Sequence, residues 1–381
     1  MKPIKVMFVN QSARMGGAEK VLLDFLRFMD RKVILPVVVL PSGELSKKIE
    51  KLAIQCINVK EFDTLGSTRK NMNFKDSFQT FSLVNKLNNI IKDIKPDIIY
   101  TNSVKAHILI NYKKRPIPSF LRLHDYPSSF NGISKLILKN ALKNANVVSG
   151  VSKSVTNNVE EIAKKSKKSC QTCYNGIEPR QISHLKHFHR PRIVIAGWLL
   201  EWKGFDIFID AMESVAHLLP DWDFVIAGAP AKDAKGSIEY SESLHRKIAS
   251  SKYKNRFVVH GRYNSLDEIV CCANHCIFIQ PSLKPDPLPT VILESSNLKL
   301  PVVASNLGGS KEIIKNNFSG KLIYPSTEEI ANAVLELAHD ANIRLEYGEN
   351  LYRTCMDMFS MDNYVQNITT SIQNLNNYNE G

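Results

Sequence analysis

The chain has 381 residues, 44% of them hydrophobic and 23% charged, with a formal net charge of +13. Its length exceeds what one hydrophobic core usually fills, so two domains are expected, and its composition excludes a disordered or fibrous chain. No apolar run approaches the roughly 18 residues that cross a bilayer, and "MKPIKVMFVN" enters a strand pattern directly, so neither a spanning helix nor a signal peptide is expected.

In chain order, apolar strand-like runs alternate with helix-length segments. The front half gives "IKVMFVN", "KVILPVVVL", "IQCINV", "PDIIYTN", "PSFLRLHD", "NVVSGVS" and "CQTCYNG". Between them, residues 18–29, 76–94 and 133–144 repeat apolar residues at helical spacing, whereas 63–74 has no period and reads as a loop. The polar, proline-bearing stretch 183–192 reads as a linker. A second set follows: "RIVIAG", "DFVIAG", "RFVVHG", "HCIFIQPS", "PVVAS" and "GKLIYP", with closing helices at 327–339, 342–358 and 361–376. These runs predict an α/β protein of two tandem Rossmann-like, doubly wound domains with a cleft between them. The expected domains are residues 1–182 and 193–358, with 359–381 packing back on the first.

Seven scattered cysteines read as free thiols in a reducing compartment. Cys271, Cys272 and Cys276 read as small core residues, and the "CxxC" at Cys170 and Cys173 lacks the helix start of a redox motif. His184, His187 and His189 have no acid or cysteine beside them to complete a metal site. Charge is uneven: residues 1–190 carry a net +19 and residues 191–381 a net −6. A basic half suits anionic lipid or nucleic acid, and equally a solvated face.

Four stretches have residues suited to chemistry. Gly16 and Gly17 open the first helix, where backbone N–H groups favour phosphate or a polar sugar. Lys203, with Gly204, lies at the first strand-to-helix turn of the rear half, where its charge can neutralise a diphosphate, or simply be solvated. In "PDPLPTVILESS", Pro287 and Pro289 delay a helix to Thr290; Asp286 then lies in the loop and Glu294 in the second turn. Carboxylates there suit paired sugar hydroxyls, or only the helix dipole and solvent. Gly308 and Gly309 form a second glycine pair before a further helix.

The ordered set "GGAE", "LHD", "VSKSV", "YNGIE", "KG", "HGR", acid-x7-Glu, "PVVAS" and "GG…E" resembles glycosyltransferase family 4, the retaining nucleotide-sugar transferases of GT-B fold. The resemblance implies that Glu294 binds the nucleotide ribose and Asp286 the donor sugar. It implies that Lys203 binds the diphosphate with the backbone of Gly308 and Gly309, that Gly16 and Gly17 face the diphosphate and reacting sugar, and that His124 lies near sugar and acceptor. Two positions depart from the family pattern: Trp198 stands where an arginine is usual, leaving Arg262 or another basic residue to substitute, and Asp286 stands where glutamate is usual.

The implied reaction moves a sugar from a nucleoside diphosphate to a hydroxyl of a glycan or lipid-linked glycan, with no metal required. The expected setting is the cytoplasmic inner face of the cell membrane, during surface polysaccharide assembly. Lys135, Lys139 and Lys143 on one helix side, and "KKSKK" at 164–168, suit an anionic membrane surface or a merely solubilising face. A non-catalytic nucleotide-sugar-binding partner and a sugar-nucleotide epimerase of the same fold remain alternatives. Nucleic-acid binding lacks an aromatic-rich basic motif.

Overall fold

A computed structural model describes residues 2–65, 77–111, 115–130, 132–163, 169–179, 188–231, 234, 236–270 and 272–380. The chain divides into two compact units, Met1–Gly176 with Met361–Gly381, and Ile177–Ser360.

The first unit alternates β1 (Ile4–Val9), α1 (Gly17–Phe28), β2 (Ile34–Leu40), α2 (Glu44–Glu50), β3 (Gln55–Asn58), α3 (Ser77–Ile94) and β4 (Ile98–Thr101). It continues through α4 (Val104–Asn111), β5 (Ser119–Leu123), α5 (Gly132–Asn144), β6 (Val147–Gly150), α6 (Lys153–Ala163) and β7 (Ser169–Thr172). The seven strands are parallel, in the order β3-β2-β1-β4-β5-β6-β7. Successive strand side chains point to opposite faces, so a sheet covered on both sides needs apolar residues at nearly every position. Phe8, Tyr100 and Phe120 pack on one face with Val21, Leu22, Phe25 and Leu26 of α1. Met7, Val9 and Ile99 pack on the other with Leu83 and Leu87 of α3 and Leu109 and Ile110 of α4.

The second unit contains β8 (Arg192–Ala196), α7 (Phe205–Val215), β9 (Asp223–Ala227), α8 (Ser237–Ser250), β10 (Phe257–Gly261), β11 (Cys276–Gln280), α9 (Thr290–Asn297) and β12 (Val302–Ser305). After these come α10 (Ser310–Ile313), β13 (Lys321–Ile323), α11 (Thr327–His339) and α12 (Ala341–Met358). Its six parallel strands run β10-β9-β8-β11-β12-β13. Strand order reverses between β8 and β11 here, and between β1 and β4 in the first unit. At such a point the loops leaving adjacent strands diverge and open a crevice at the carboxyl ends.

The last helix, α13 (Met361–Glu380), completes the core of the first unit. The Tyr364 ring meets Phe25 edge-on at 5.9 Å, and its hydroxyl donates to the Val21 carbonyl at 3.3 Å. Ile368 and Ile372 are fully buried in the same cluster. Gly176 has to lack a side chain, since a Cβ there would lie 2.7 Å from the Tyr364 Cβ.

The α/β class and both parallel sheets agree with the sequence expectation. The short helix α4 was not legible as an amphipathic segment, because it is buried nearly all round, at Val104, Ala106, His107, Leu109, Ile110 and Asn111. Cys276 is buried in β11, whereas Cys272 is only half-buried, with its Sγ 3.5 Å from His275 Nδ1. The "KKSKK" cluster, His184, His187, Cys271 and most of the 63–74 loop lie outside the described residues.

Emptying the Ile368 site should expose how much α13 seals. Ile368→Ala is expected to cost about 2–5 kcal/mol of unfolding free energy, read from urea titration; a loss under about 1 kcal/mol would contradict that packing.

Candidate functional site

In the second unit, the loops after three adjacent strands, β8, β11 and β12, are tied to one another. Lys203 ends a 3-10 turn, Glu201–Lys203, that follows β8. Its Nζ donates to Asp286 Oδ2 at 2.6 Å, in the loop between β11 and α9. The same ammonium stands 4.2 Å from the Trp202 ring centre, a cation–π contact that the sequence reading missed although the aromatic is its direct neighbour. The Leu283 N–H donates to the Trp202 carbonyl at 2.8 Å, and the Gly309 N–H to the Asp286 carbonyl at 2.8 Å. Asp286 is buried at 7% exposure, and its carboxylate is paired with Lys203.

The glycines here are dictated by close approach. Gly204 has φ of +76°, and a Cβ on it would lie 2.4 Å from the Pro281 carbonyl oxygen. On Gly309 a Cβ would lie 2.3 Å from the Pro287 carbonyl oxygen. Any side chain at either position would push apart the loops that bring Lys203 to Asp286. Gly308, with φ of +59°, turns the chain before α10.

Glu294 is half-buried in the second turn of α9, as the proline spacing predicted for the helix start at Thr290. Tyr263, after β10, is a neighbour the sequence reading passed over; burial and then the Glu294 charge push its hydroxyl well above the ordinary range. Arg262 precedes it and is exposed. Trp198 is 40% exposed in the loop after β8.

The first unit carries a second polar group. Asn10, Asn102 and His124 are each the first residue beyond a strand: β1, β4 and β5 respectively. His124 Nε2 lies 3.0 Å from Asn102 Oδ1, and Asn102 Nδ2 donates to Asn10 Oδ1 at 3.0 Å. Gly16 and Gly17 open α1, whose Ala18 carbonyl and Glu19 carboxylate accept from Asn102 and Asn10. Thus His124 is brought together with the "GGAE" turn in this unit, and Lys203 with Asp286 and Gly309 in the other. Burial, and then the nearby Arg122 charge, hold the His124 imidazolium well below its ordinary pKa of 6.5, so the ring is neutral.

Residues 15–181 match the family model "Glycosyltransferase Family 4", and residues 178–354 match "Glycosyl transferases group 1". An uncharacterized glycosyltransferase of Methanocaldococcus jannaschii is 27% identical over 251 residues, 62% of this chain, which spans 63% of that relative's length. A Campylobacter jejuni alpha-1,4-N-acetyl-D-galactosaminyltransferase, named for a GalNAc-bearing diNAcBac-PP-undecaprenol, is 25% identical over 383 residues, 93% of this chain and 94% of its own. Among solved structures, Anabaena HepE in complex with UDP and glucose aligns at a TM-score of 0.78 and 22% identity, covering 97% of this chain and all of that one.

The depressed pKa of His124 has a consequence for stability. As pH falls below about 6.5 the unfolded chain takes up the proton first, so the ring's contribution is present above that pH and lost as pH drops toward the folded value. His124→Gln should therefore lose stability less steeply on the acid side, as followed by urea midpoints across pH. Parallel curves for variant and wild type would contradict the shift.

Proposed function

The chain belongs to glycosyltransferase family 4, and from that premise we propose that it moves a sugar from a nucleoside diphosphate to a hydroxyl of a lipid-linked glycan, with retention at the anomeric carbon. The observation that carries this reading is the Lys203–Asp286 pair at the strand-order reversal of the second unit. It sets a cation for a departing diphosphate beside an acceptor for sugar hydroxyls.

In the proposed step the bond from the anomeric carbon to the diphosphate oxygen breaks, and a bond to the acceptor oxygen forms on the same face. The acceptor proton passes to the departing phosphate. Negative charge builds on that phosphate, and Lys203 opposes it with a fixed positive charge that needs no reorganisation. The backbone of Gly308 and Gly309 is assigned to the same group, Glu294 to the ribose and Asp286 to the sugar. Arg262 is assigned as the second cation in the absence of an arginine at Trp198. His124, Gly16 and Gly17 are assigned to the sugar and its diphosphate. With Lys203 in this part, transfer is expected to survive a metal chelator.

The Campylobacter relative supports a lipid-linked acceptor. Lys135, Lys139 and Lys143 are exposed on α5, and Leu136 between them is 66% exposed. That combination suits peripheral docking on anionic lipid at the cytoplasmic face, where such acceptors for surface polysaccharide are held. A second reading, nucleotide-sugar binding without transfer, is favoured by Trp198 alone; binding with no turnover on any lipid-linked acceptor would select it.

A panel of nucleotide sugars, beginning with UDP-glucose, tests the reading by protection against thermal unfolding. A true donor at a hundredfold excess over its Kd should add about 2.7 kcal/mol. Glu294→Ala should abolish the shift, and Lys203→Ala should weaken it for the free nucleoside diphosphate as well. No protection by any member of the panel would sink the proposal.

A further inference from the structure

We propose that Asn102, locked by Asn10, is a positioning residue: it holds the His124 ring with its hydrogen on Nε2, leaving the Nδ1 lone pair as the ring's one acceptor for a substrate hydroxyl. The tautomer follows from geometry alone, and the use of Nδ1 on a sugar or acceptor hydroxyl rests on the transferase reading.

Two backbone carbonyls fix the direction of the whole chain of hydrogen bonds. A backbone carbonyl can only accept. The Ser12 carbonyl lies 2.6 Å from Asn10 Nδ2, so that end of the Asn10 amide is the nitrogen and Oδ1 turns toward Asn102. The Ala18 carbonyl lies 3.1 Å from Asn102 Nδ2, which identifies that atom as the donor in the same way. Asn102 Oδ1 is then the acceptor facing His124, and at 3.0 Å the ring nitrogen opposite it has to carry hydrogen. Both asparagines are 1% exposed, so water does not compete for these bonds and a reversed amide would face two acceptors without a donor.

The far end of the chain is equally constrained. Asn10 Nδ2 also reaches Glu19 Oε1 at 3.3 Å. A Cβ on Gly16 would lie 2.9 Å from Glu19 Oε2, so glycine at the start of α1 gives the carboxylate room to fold back. At His124, Nδ1 makes no hydrogen bond among the described residues, and the ring is half-buried, not sealed. The low imidazolium pKa agrees with a ring that stays neutral and keeps that lone pair.

The test uses the full chain labelled with 15N in its histidines. Two-bond proton–nitrogen correlation distinguishes the tautomers, and the His124 signals are assigned by their loss in His124→Gln. The expected wild-type pattern at neutral pH has Nδ1 far downfield of Nε2, the signature of hydrogen on Nε2. Asn102→Ala should draw the two nitrogens together as both tautomers become populated. Hydrogen on Nδ1 in the wild type overturns the proposal without any variant, and so does an unchanged pattern in a folded Asn102→Ala. With UDP-glucose as donor, Asn102→Ala should lower kcat and leave KM unchanged; an unchanged kcat overturns the positioning role. The expected tautomer pattern with no turnover from any nucleotide sugar would sink the transferase reading and leave the geometry of His124 standing.

Discussion

In a parallel sheet all strands run the same way, so every loop that follows a strand emerges at one end. Most of what is chemically distinctive about this chain follows from that constraint, applied once in each unit. In the first unit it gathers Asn10, Asn102 and His124 beyond β1, β4 and β5, which are neighbours in the sheet though far apart in sequence. In the second it gathers the loops after β8, β11 and β12, and so Lys203, Asp286 and Gly309.

The two groups solve the burial of polarity differently. In the second unit a full charge pair is taken largely out of water, which is tolerable only because the ammonium and carboxylate meet at 2.6 Å and the adjoining backbone groups are themselves bonded. In the first unit neutral amides do the work, and backbone carbonyls of Ser12 and Ala18 dictate which way each amide points. Nearby Arg122 is fully buried without exposure, held by the Ser149 hydroxyl, the Gly150 carbonyl and the Asn175 side chain, with its guanidinium 5.6 Å from the Tyr364 ring centre. That one cation thus touches the sheet end, the "YNG" turn and α13, and its field helps keep His124 neutral.

Glycine placement carries a similar lesson. Paired glycines in sequence suggest a cradle for phosphate, and that remains the proposed use of Gly308 and Gly309. For Gly309, and for Gly204 in the neighbouring loop, the structure also gives a packing reason: each sits where another loop's carbonyl passes within reach of any Cβ, and the Gly309 amide is bonded to Asp286. A glycine motif alone does not distinguish close approach of a ligand from close approach of the chain itself.

The sequence by itself determined the α/β class, the strands and helices α1, α3, α5, α11, α12 and α13, because hydrophobic period is a local signal: these helices lie within a few residues of where their spacing puts them. It also placed the start of α9 at Thr290, since two prolines forbid an earlier one. It left α4 unread, because a helix buried nearly all round has little period to show. Only the tertiary structure decided that Trp202 lies against Lys203, that Tyr263 feels the charge of Glu294, and that Asn10 and Asn102 orient His124. The two asparagines are 92 residues apart, and nothing local to either marks the other. Their meeting is fixed by strand order and register, which no stretch of sequence carries alone.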